Sequence, residues 1–148
     1  MLFSRSTIAA LLALTLWFSL DFIGVPRLVD KEPLVSLAGL MLALLVVFFA
    51  AGVFQIRYAA PPYALSLLTW LVLQVQTHWI SYLLPASQSK LQWYDRVFGE
   101  HIRILPSLPT RTTPDAFHTA LAALILLNLS LVTVDIFRGA ASPSLNSR

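Results

Sequence analysis

Apolar residues fall in four long runs along this chain, at about residues 7–24, 34–54, 62–84 and 116–137, with polar residues gathered between them. An α-helix of about 20 residues crosses the roughly 30 Å of bilayer hydrocarbon, so each run has a spanning length. In hydrocarbon the backbone must satisfy its own hydrogen bonds, which favours helices. Prolines punctuate the pattern: Pro26 follows the first run, Pro33 precedes the second, Pro61 and Pro62 open the third, and Pro85 closes it. The expectation is an all-α integral membrane protein, a four-helix transmembrane bundle in one domain, with a flexible tail at about residues 139–148. Arg5 ahead of an apolar core also fits a signal peptide. No small-residue cleavage site follows, however, and Asp21-Phe22 is a poor context for cleavage, so a retained helix is expected.

The first two connections, near residues 25–33 and 55–61, are short and make neighbouring helices antiparallel. The third, residues 85–115, is too long to be structureless in a small domain. Within it, residues 89–105 set Leu91, Tyr94, Phe98, Ile102 and Leu105 at three- and four-residue spacing, opposite Gln92, Asp95, Arg96, Glu100 and Arg103. That is an amphipathic helix at the membrane interface, with Trp93 and Tyr94 at headgroup depth and Gly99 as its weak point. The proline-rich PSLPTRTTP then makes a stiff return to the membrane. For the last helix, Thr112 or Thr113 can cap, Pro114 suits the first turn, and Asp115 complements the helix dipole.

Composition strengthens the membrane reading. The chain is 57% hydrophobic and 11% charged, where a soluble domain carries about 25% charged residues. It has no cysteine, which excludes disulfides, thiolate metal sites and thiol nucleophiles. The net charge of +3 comes mostly from residues between the apolar runs, as expected for headgroup contacts and not for nucleic-acid binding. The partners expected are therefore the lipid bilayer and either a small hydrophobic ligand or another membrane subunit.

Candidate chemistry lies on the third run. At 100° per residue Tyr63, Ser66, Trp70, Gln74, Thr77, His78 and Ser81 share a broad face, while Gln76 and Trp79 fall elsewhere. Lipid offers such a stripe nothing, so it should face other helices or a wet cavity. The alternation of helix direction brings the end of helix one, the start of helix two, the end of helix three and the start of helix four to one side. Asp21, Asp30, Lys31, Glu32, His78, Asp115 and His118 collect there, beneath Glu100, His101 and Arg103. The candidate ligand-binding set is Trp70, Gln74, His78, Asp21, Asp115 and His118. The same groups could be interhelical packing, an acid–base site using His78 and His118 with Asp21 or Asp115, or a bis-histidine haem site. No HExxH, paired HxxxH or glycine-rich phosphate loop is present, so no metal or cofactor is specified and enzymic activity is left open. Asn128 reads as interhelical glue, His101 as interfacial, and Arg5, Gln55, Arg57, Asp135 and Arg138 as flanking groups on the opposite side. Gly39 and Gly52 make the second helix a closely packed scaffold.

In size and span count the plan is similar to that of DoxX-like proteins and of the sterol-isomerase/sigma-2-receptor group. No motif of theirs maps onto this chain residue by residue, and the NxxE pattern of small glutathione-linked membrane enzymes is missing from the second helix, so no site is carried over. The function expected is a small polytopic membrane protein that binds a lipid-like or small hydrophobic ligand, or serves as an accessory subunit, through a polar pocket at the third-connection side. A bacterial inner membrane is the expected location. Arg5, Arg57 and Arg138 close to the span ends place both termini in the cytoplasm. A fluorescent reporter fused to the C-terminus should therefore be active, and one inserted in residues 106–110 silent. The opposite pattern would invert the topology, and termini on opposite sides would exclude an even number of spans.

Overall fold

Helix α1 (Arg5–Ile23) starts where the Ser4 side chain accepts the Thr7 N–H at 3.2 Å, supplying an acceptor that the first turn lacks. It stops at Gly24, whose φ of +72° suits glycine. A Cβ there would also lie 3.0 Å from the Lys31 Cβ. Helix α2 (Leu37–Val53) is capped the same way by Ser36. Helix α3 (Ala60–Gln74) begins on Pro61 and Pro62, runs without a break through a π-helical turn (Val75–Trp79), and ends as α4 (Ile80–Leu83). Helices α5 (Gln88–Phe98) and α6 (Ala116–Ala141) complete the fold. The structure, a computed structural model, describes residues 2–141, and these form an all-helical chain without strands. Two of the helices, Arg5–Ile23 and Ala116–Ala141, are long and apolar enough to cross a membrane.

Helix α6 packs against α1 and α3, and α2 packs against α1. Leu11, Leu14 and Phe18 meet Tyr63, Leu67 and Trp70 and the α6 residues Phe117, Leu121, Ile125 and Val132 in one buried core. The expected glycine packing on α2 occurs at Gly52, where an added Cβ would meet the Phe3 ring at 2.8 Å. The expected stripe on the third run is also inward: Tyr63, Trp70, Gln74, His78 and Ser81 are buried, while Gln76 is exposed.

Several boundaries differ from expectation. The amphipathic helix ends at Phe98 instead of continuing to residue 105. Beyond it the chain is held by backbone bonds to other segments: Ile102 N–H to Arg27 O at 2.7 Å, and Ala116 N–H to Ile102 O at 2.7 Å. Those long-range bonds replace the helical ones. Pro114 precedes the helix by two residues and lies outside its first turn, and the cap is Asp115, not a threonine. Residues 139–141 of the expected tail are helical, and 142–148 lie outside the described residues. Asp135 is not a flanking charge. It is buried, accepting the Thr7 hydroxyl at 2.6 Å and the Ser4 N–H at 2.8 Å, so α6 supports the start of α1.

Asn128 performs the expected joining role. It is fully buried, accepts from Tyr63 Oη at 2.7 Å, and donates to the carbonyls of Ala10 at 3.0 Å and Leu124 at 2.9 Å, tying α1, α3 and α6 together. Replacing Asn128 by Ala strands the Tyr63 hydroxyl and removes the link from α6 to the Ala10 carbonyl. The expected loss is about 1 kcal/mol, within the range of interhelical hydrogen bonds in apolar surroundings. Thermal unfolding in detergent should show it, while Leu127→Ala on the exposed face should leave the melting temperature nearly unchanged.

Candidate functional site

The chain ends that sequence reasoning assigned to one side do meet. Asp115 is the hub. It lies immediately before α6, has no exposed surface, and accepts the His118 backbone N–H at 2.8 Å through Oδ1. The same carboxylate holds His118 Nδ1, at 2.9 Å from Oδ1 and 3.0 Å from Oδ2, and His101 Nδ1 at 3.1 Å from Oδ2. His101 reaches Asp30 with its other ring nitrogen at 3.4 Å. Burial alone would raise the Asp115 carboxyl, but the His118 side-chain bond, the His118 charge and backbone N–H, and the His101 bond outweigh it and bring the group down to about 2. An ionised carboxylate can only accept, so a hydrogen sits on His118 Nδ1.

His78 stacks on His118, with ring centroids 3.9 Å apart and planes inclined by 24°. Its Nδ1 is 2.9 Å from the Tyr94 hydroxyl. Burial pushes the Tyr94 phenol upward, with the Asp115 charge adding to the effect, so the hydroxyl keeps its proton. Phe98 lies edge-on to His78, His118 and His101 and closes the cluster under α5. Two residues were thus misjudged from sequence. Tyr94, expected at headgroup depth, is 2% exposed and points into the cluster, and His101 is buried between two carboxylates instead of lying at the interface. The usable signal was the placement of all three histidines on one side; their mutual contacts required the fold of residues 99–115.

Two cavities adjoin the cluster. One of about 190 Å³ lies among α1, α2, α3 and α6, walled by Phe18, Trp70, Leu73, Phe117 and Leu121, with Asp21, Gln74, Thr77 and His118 as its polar groups. The other, of about 450 Å³, lies beneath α5 beside Trp93, Phe98 and His101. Asp21, Leu37, Ala38 and His118 line both. Of the six candidate residues, Asp21, Trp70, Gln74 and His118 line the inner cavity, whereas His78 and Asp115 stand behind them as supports. Gln74 is 8% exposed and its Oε1 has no hydrogen-bond partner. Buried amides are normally satisfied, and leaving one unpaired costs about 1–3 kcal/mol. Among the described residues, no group of three His, Asp or Glu side chains is arranged to hold a metal ion.

No protein-family model, curated protein or solved structure matches this chain.

The depressed Asp115 carboxyl sets a pH signature. A group whose folded value lies below its ordinary 3.8 stabilises the fold above that pH and loses its contribution as pH falls through about 2. Wild type and Asp115→Asn should therefore differ most in melting temperature above pH 4, and the gap should narrow steadily toward pH 2. A gap independent of pH over that window would show that the charge of Asp115 is not what holds the cluster.

Proposed function

We propose that this chain is a multi-pass protein of a bacterial inner membrane, with four spans, α5 at the interface and both termini cytoplasmic. It binds a small amphiphilic molecule in the inner cavity. The observation that carries the binding reading is the unpartnered Gln74 Oε1 on a wall shared with Asp21 and His118. Acceptors from Gln74 and Asp21 beside apolar walls suit a hydrophobic molecule bearing a hydroxyl or amino group. The four-span reading is supported by the unbroken helix over residues 60–83 and by α2, whose 17 apolar residues extend about 26 Å, within tolerable mismatch of a bilayer. Leu40, Val46 and Val47 on α2, Leu65, Leu68 and Val72 on α3, and Leu126, Leu127 and Phe137 on α6 are exposed, as a lipid-facing surface requires. The burial of α1 against α6 favours its retention over removal as a signal peptide.

A second reading, a membrane-embedded enzyme, is favoured by one specific feature: the Asp115–His118 pair, which orients an imidazole with Nε2 unpartnered in the way a general base is held. The bis-histidine haem alternative has little geometric support. His78 and His118 stack face to face with ring centroids 3.9 Å apart, which leaves no room for a porphyrin between them.

Native mass spectrometry of the full chain in mild detergent tests the binding reading. Wild type is expected to carry a hydroxyl- or amino-bearing amphiphile, and Gln74→Leu and Asp21→Asn to lose about tenfold in occupancy, with melting temperatures close to wild type. Full occupancy in both variants would overturn the proposal. If His118→Gln accumulates an unreacted form that wild type converts, the enzymic reading takes the place of the binding one.

A further inference from the structure

A third cavity, of about 320 Å³, lies between α5 and the segment that leads into α6. Leu91, Gln92, Tyr94 and Asp95 of α5 form one wall; Arg103, Arg111, Thr112 and Thr113 form the other. Its polar groups are unusual in being left unsatisfied. Thr112 is 3% exposed and its Oγ1 has no hydrogen-bond partner, and the Nε of Arg103 is buried without one. The remaining bonds of the two arginines are long: Arg103 Nη2 to Asp95 at 3.4 Å and Arg111 Nη1 to the Tyr82 carbonyl at 3.4 Å. Two guanidinium groups and a buried hydroxyl thus border one cavity, against a single carboxylate that is itself largely exposed.

We propose that this cavity binds a phosphate group, held by Arg103 and Arg111 with Thr112 as the buried hydroxyl donor. Guanidinium forks match phosphate oxygens in a bidentate fashion, and charge-assisted bonds to an anion are about twice as strong as neutral ones. An arriving phosphate supplies acceptors for Thr112 Oγ1 and Arg103 Nε, whose present lack of partners is costly. It displaces Asp95, whose contact with Arg103 is long and open to water and therefore weak. Leu91 and Tyr94 provide an apolar wall suited to the glycerol and upper acyl part of a phospholipid. The phosphate could come from an anionic lipid headgroup or from a free phosphate ion, which share this chemistry.

The test uses the full chain in neutral detergent, titrated separately with short-chain phosphatidylglycerol, short-chain phosphatidylcholine and inorganic phosphate, and read by thermal shift. A lipid source predicts that phosphatidylglycerol binds about tenfold tighter than phosphatidylcholine and that inorganic phosphate competes weakly. A free-phosphate source predicts saturation by inorganic phosphate alone. In either case Arg103→Gln with Arg111→Gln should weaken binding by about tenfold or more, and Thr112→Val by several-fold. Asp95→Asn removes the competing carboxylate and should tighten binding several-fold, a gain that misfolding cannot mimic. Lys90→Gln, outside the cavity lining, should change little. Unchanged affinity in the double arginine variant, or no gain in Asp95→Asn, would overturn the proposal.

Discussion

A single carboxylate, Asp115, holds together the end of the molecule at which its polar groups gather. It caps α6, orients His118, and fixes His101, which in turn reaches Asp30 in the connection between α1 and α2. The irregular chain over residues 99–115 is thereby tied to α6 and to the first connection, and Phe98 is carried over the histidine rings. Around the fully buried Asp115 carboxylate a hydrogen bond is electrostatically stronger, and a lost partner costlier, than at a surface. The carboxylate acts beside the backbone bonds of Ile102 to Arg27 and Ala116, which join the same segments.

The buried polar groups include some bonded to neighbouring helices and others left without a partner. Asn128 and Asp135 are bonded to neighbouring helices, as buried polar groups in a packed core normally are. Gln74 Oε1, Trp79 Nε1, Thr112 Oγ1 and the Nε of Arg103 are not engaged, and each of these residues lines a cavity. Unsatisfied groups in a packed protein call for an explanation. Their coincidence with empty space distinguishes groups available to a ligand from groups already used to join helices.

Much of this was readable from residue spacing. The apolar runs, their proline punctuation and the inward stripe from Tyr63 to Ser81 follow from helix length and a 100° period, quantities that depend on local sequence alone. The convergence of Asp21, His78, Asp115 and His118 followed from the alternation of helix direction. What spacing could not reveal depends on partners far along the chain. Asp135 lies 128 residues from the threonine it receives, and His101 takes its position from the backbone bonds of its neighbour Ile102 to Arg27 and Ala116. Residues 99–105 have helical periodicity, yet those tertiary bonds override it. The π turn over VQTHW is equally silent in sequence, since neither glycine nor proline marks it.

That turn bears on how the site is built. A π-helical turn accommodates an extra residue and leaves its backbone bonded in the i to i+5 pattern, as Ile80 N–H to Val75 O is here. It follows directly on Gln74, which borders the inner cavity, and includes His78, which stacks on His118. A helix optimised only for packing has no need of such a distortion, and π turns concentrate at functional positions. Here it falls on the same few residues as the unpartnered amide and the stacked imidazoles. Local backbone geometry, unmet hydrogen bonding and the charge network at Asp115 therefore point to one place through three different kinds of physics, and that agreement argues for a site better than any one of them alone.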